Sequence, residues 1–68
     1  MIETAKQVKE ALAEIQTLTG WTNSRLADKV GVHRSSIGRL LTDEAENPSL
    51  LTMEKIDKEL KRVRKVHG

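Results

Sequence analysis

Apolar residues recur at steps of three and four along Ala5, Val8, Leu12, Ile15 and Leu18, the spacing that lines one face of a helix. Gly20 stands just past this run. With no Cβ to oppose positive φ, it suits a left-handed cap, so a first helix is expected over residues 4–18. Thr22 then offers a hydroxyl to the free amides of a second, two-turn helix, whose short stripe is Leu26, Ala27 and Val30 and which Gly31 ends. Beyond Val32, residues 34–41 place Ile37, Leu40 and Leu41 at helical spacing and leave Arg34, Ser35, Gly38 and Arg39 for other faces.

Residues 42–48 hold three acids, an asparagine and the sole proline, a composition that opposes regular structure and reads as a surface loop. Ser49 caps a last helix over about residues 50–63, with Met53, Ile56, Leu60 and Val63 on one face, charges mostly on the other, and a frayed end. No strand alternation, internal repeat, low-complexity tract or glycine-rich phosphate loop interrupts this pattern. The expected fold is therefore all-α with four helices: one domain over residues 1–68 with a basic tail from about residue 61.

A chain of 68 residues has only a thin margin of core burial over ordering entropy, which makes dimerisation a reasonable expectation. It has no cysteine, and its two histidines, His33 and His67, are far apart, so neither metal nor cofactor is expected. Glu3, Lys6, Lys9, Glu10 and Glu14 break up the amino-terminal region, so no membrane span or signal peptide is expected and the protein reads as cytoplasmic. Catalysis is not expected either. There is no cysteine nucleophile or recognisable serine-histidine-acid set, and the chain is too small for a deep pocket that would take a small-molecule substrate.

The net charge of +2 decides little, but its placement is uneven. Residues 21–40 carry Arg25, Lys29, Arg34 and Arg39 against Asp28 alone, and Lys61, Arg62, Arg64 and Lys65 follow in the tail. Composition alone favours the solvated faces of ordinary helices as the source of such charges, so the decision falls to the motif. There, Ala27 lets two helices approach, Gly31 turns the corner, and Leu26, Val32, Ile37 and Leu40 fill the wedge between them.

Residues 22–40, TNSRLADKVGVHRSSIGRL, resemble the helix-turn-helix of the phage repressor and Cro family. Residues 47–51, NPSLL, followed by Ile56 and Leu60, are similar to the segment after that family's recognition helix, so the likeness covers nearly the whole chain. The resemblance implies a lambda-repressor-like domain, with a helix-turn-helix at about residues 22–41, that lays its second motif helix in the major groove, usually as a homodimer on a two-fold operator. Arg34 and Ser35 match the exposed opening positions of that helix, where a guanidinium can grip guanine O6 and N7. Arg39 lies a turn beyond Ser35 and ranks third as a base reader, with a phosphate as its alternative contact. Asn23 matches the polar residue that opens the preceding helix and binds a phosphate.

His33, Ser36 and Thr42 are further phosphate candidates, although polar residues at helix ends also serve simply as caps. His33 stands where the family often has a small capping residue, and Asp43, Glu44 and Glu46 make a loop acidic where backbone contacts favour cations. The fifth helix of longer repressor domains has no counterpart in these residues, which leaves the dimer surface open. Trp21 reads as packing over the first helix and Met53 as core. The basic tail suits DNA phosphates, an acidic partner or the helix dipole alike. Gly38, mid-helix, reflects either close approach to DNA or mere tolerance.

Two functions are consistent with these features. One is a phage or prophage Cro-like transcriptional repressor that reads double-stranded operator DNA. The other is an antitoxin-like or adaptor module whose apolar helices bind a protein partner, with DNA contact secondary.

Overall fold

The computed structural model describes residues 4–42 and 48–67, and its elements are α1 (Ala5–Thr19), α2 (Asn23–Val30), α3 (Arg34–Leu41) and α4 (Leu50–His67). No strand occurs among the described residues. Asp43, Glu44, Glu46 and Asn47 of the expected loop lie outside them. The fold is thus the expected all-α arrangement.

Local chemistry sets the helix ends. Thr4 and Gln7 form a reciprocal capping box: Thr4 Oγ1 accepts from the Gln7 amide at 3.2 Å, and the Thr4 amide donates to Gln7 Oε1 at 3.1 Å. Gly20 closes α1 at φ 74°, and Gly31 closes α2 at φ 89°. Thr22 Oγ1 accepts from the Arg25 amide at 3.2 Å to start α2, and Ser49 Oγ accepts from the Thr52 amide at 3.2 Å to start α4.

α1 packs chiefly on α4 and α2 on α3, with α3 also meeting α1 and α2 meeting α4. Each helix contributes to one core: Val8, Ala11, Leu12 and Ile15 from α1, then Leu26, Ala27 and Val30, then Ile37 and Leu40, and finally Ile56, Leu60 and Val63. Leu18, Trp21, Val32, Leu41 and Met53 pack against its edge. Two details differ from the periodic reading of α1. Ala5, the first residue of the helix, is only half-buried, whereas Ala11 is buried on a helix that packs chiefly against α4.

The end of α4 also differs. It runs to His67 instead of fraying after Val63, and its last turn carries Arg64 and Lys65, cations that complement the negative end of the helix dipole. Arg64 further ties this turn to α1: its guanidinium donates through Nη2 to Glu14 Oε1 at 2.8 Å and through Nε to Glu14 Oε2. Glu59, expected on the solvent side, is buried, and its carboxylate is satisfied by two hydrogen bonds from Arg62, at 3.2 and 2.8 Å.

The hydrogen bonds from Arg64 hold the Glu14 carboxyl below the usual carboxylate range. Partial burial opposes this and the guanidinium charge assists it. The folded chain therefore takes up that proton less readily than the unfolded chain, so the pair stabilises the fold at neutral pH and loses its effect as pH falls through the depressed value. Glu14→Gln should lower the urea midpoint at neutral pH and leave it unchanged in acid, where the wild-type carboxyl is protonated in both states. An equal loss at both pH values would assign the effect to packing instead of charge.

Candidate DNA interface

The corner between α2 and α3 is built on a single carbonyl. Ala27 O accepts from the Gly31 amide at 2.8 Å and from the Val32 amide at 3.0 Å, which folds the chain back as α2 ends. Gly31 can do this because its φ of 89° is strained for any residue with a Cβ. Val32 packs against the edge of the core beneath the corner, and Lys55 Nζ reaches from α4 to the Gly31 carbonyl at 3.5 Å. The corner is thereby held from inside and from α4.

His33 begins α3. Its Nδ1 accepts from the Ser35 amide at 3.1 Å, so the imidazole supplies the cap that a small polar residue usually gives. The amide can only donate, so Nδ1 carries no proton in this arrangement and Nε2–H is left as an outward donor. Ser35 Oγ lies 2.7 Å from the same Nδ1 and so directs its hydroxyl proton at the ring. Its lone pairs remain available.

α3 divides its residues sharply. Ile37 and Leu40 are buried, whereas Arg34, Ser35 and Arg39 are exposed. Among the described residues neither Arg34 nor Arg39 meets a carboxylate within ion-pair distance. Asn23 and His33 are exposed, and Ser36 is half-buried. Thr42 is exposed, but its hydroxyl donates to Arg39 O at 3.2 Å and its amide to Gly38 O at 3.2 Å, so it caps the end of α3.

Other contacts were not legible in the sequence. Gln16 Nε2, on α1, donates to Trp21 O at 3.3 Å and to Asn23 Oδ1 at 2.7 Å. Lys29 Nζ stands 5.6 Å from the centroid of the Trp21 ring, and that ring is half-buried against the core edge as its position led us to expect. In the basic tail, Lys61 pairs with Asp57 at 3.0 Å, Arg62 with Glu59 and Arg64 with Glu14. Those three cations thus have partners within the fold.

Two short helices set around a glycine corner, the second exposing polar and cationic side chains along one face, define a helix-turn-helix domain. The chain belongs to the Helix-turn-helix family, whose pattern matches residues 9–64, and this family is one of DNA-binding transcription regulators. No curated protein and no solved structure matches the chain. Among the described residues there is no acid, histidine or cysteine cluster suited to a metal ion, and no helix is long and apolar enough to cross a membrane.

The glycines separate by conformation. A Cβ at Gly38 would meet open space, and Gly38 has helical φ, so nothing in the fold requires glycine there. Gly38→Ala should stabilise the protein by about 1 kcal/mol, whereas Gly31→Ala should destabilise it by about 1–2 kcal/mol despite equally open space, because its φ is positive. Urea unfolding of the two variants checks both signs. A destabilised Gly38→Ala would show that the residue serves the fold.

Proposed function

We propose that this protein is a sequence-specific repressor of the phage or prophage Cro-like kind, cytoplasmic and homodimeric, that lays α3 in the major groove of a two-fold operator. The observation that carries this reading is the division of α3. Ile37 and Leu40 are buried in the core, and its two guanidinium groups stand exposed with no carboxylate at ion-pair distance among the described residues. A bare arginine next to DNA exchanges water and counterions for base or phosphate contacts without first breaking an ion pair.

Arg34 and Arg39 read base edges in this proposal, with Arg34 gripping guanine O6 and N7. Ser35 has its hydroxyl proton directed at His33, so it offers lone pairs to the groove and matches the exocyclic amino group of adenine or cytosine. Asn23 and the Nε2–H of His33 are the donors for phosphate oxygens that set register. Ser36 and Thr42 are the lesser phosphate candidates, since Thr42 has its hydroxyl proton committed to the Arg39 carbonyl.

The antitoxin-like or adaptor reading draws on the exposure of Leu50, Leu51 and Val66 on α4, apolar side chains that a protein partner would cover. Selection of bound sequences from a random duplex pool, followed by titration at two salt concentrations, separates the two readings. Operator readout leaves an enriched motif that persists as nonspecific affinity falls with salt, and a pool without enrichment favours the adaptor.

On the selected site, Arg34→Ala should lose about 1–3 kcal/mol and relax preference at one base pair. Equal losses on cognate and random duplexes would reject base readout by Arg34. Ser35→Ala should relax a position that prefers adenine or cytosine on the contacted strand. Replacing that base by an analogue without the amino group should weaken the wild type and leave the variant unaffected.

A further inference from the structure

Gln16 lies on α1, outside both helices of the motif, yet its side chain spans the turn into α2. Its Nε2 lies between two oxygens, Trp21 O at 3.3 Å and Asn23 Oδ1 at 2.7 Å. A backbone carbonyl only accepts, so the amino end of the Gln16 amide is the end at the corner. That amino group only donates, so the oxygen of Asn23 is the end that faces it. The amino group of Asn23 must then be directed away from α1, and among the described residues nothing accepts from it.

We propose that Gln16 is a positioning residue for DNA binding: it fixes the amide of Asn23 at the first position of α2 with its donor end outward, toward a phosphate oxygen. This rests on the reading of Asn23 as a phosphate contact given above. An asparagine held only at its backbone can present either end, and a phosphate, which only accepts, rejects the oxygen end. Gln16 removes that alternative before DNA arrives, so the ordering cost is met on folding. A bond to Trp21 O alone would make Gln16 a staple for the turn, but the shorter contact is the one to Asn23.

The two roles predict different energetics, which a double-mutant cycle on the full chain separates. Dissociation constants are measured for wild type, Gln16→Ala, Asn23→Ala and the double variant, on the selected duplex and on a random duplex of equal length. Each single change should weaken both duplexes by about five-fold, the effect of one hydrogen bond, with base preference unchanged. The double variant should be no weaker than the worse single variant. Losses that multiply, or a Gln16→Ala protein that binds as wild type while Asn23→Ala is impaired, overturn the proposal.

Gln16→Glu guards against a loosened turn. Its carboxylate accepts from Asn23 and turns the asparagine oxygen outward, so it should weaken binding more in the Asn23 background than in the Asn23→Ala background. An equal effect in both backgrounds, as simple charge repulsion would give, again overturns it. Selective binding that is insensitive to Asn23→Ala overturns the positioning role and leaves the DNA-binding reading standing, whereas a wild type that binds neither duplex removes both.

Discussion

The architecture turns on the Ala27 carbonyl and the two amides that converge on it from Gly31 and Val32. A helix normally continues until its last carbonyls face water. Here one of them is used to reverse the chain within two residues, and the reversal is possible because Gly31 reaches φ 89°. The direction of α3 follows from this corner. α3 is only eight residues long, too short to be stable as an isolated helix, so its direction is held by packing on α2 and α1.

The rest of the molecule supports the corner. Leu26 and Ile37, from opposite sides of it, are both fully buried, and residues of α1 and α4 belong to the same core. Burial of two such side chains stabilises by about 3–6 kcal/mol, a large share of what a chain this short commands. The two helices of the motif are short, and the core around their crossing is shared with the elements before and after. The Lys55 contact to the Gly31 carbonyl and the Arg64 fork on Glu14 add polar ties between α4 and the rest.

On the polar surface, His33, Ser35 and Asn23 are already oriented by bonds within the fold. His33 caps α3 with Nδ1 and keeps a donor at Nε2, and Ser35 directs its proton to the same nitrogen. Asn23 is held by Gln16. Each residue uses one end of a two-ended polar group inside the fold and leaves the other end outward. Under the proposed DNA-binding function, such orientation lowers the ordering cost on binding and needs no additional contacts.

Helix placement was determined by sequence alone because it depends on short-range rules. Three-and-four spacing marked the buried faces, and Gly20, Thr22 and Gly31 marked ends that rest on bonds or torsions within four residues. The exposed positions of Arg34, Ser35 and Arg39 followed from the same periodicity. Only the tertiary structure decided which polar ends face which partners, and how far α4 runs. Gln16 with Asn23, Lys29 over Trp21, Lys55 at Gly31 and Arg64 on Glu14 each join residues that no periodic pattern relates. Such contacts depend on the angle at which helices cross, and that angle is set by the shape of the whole core.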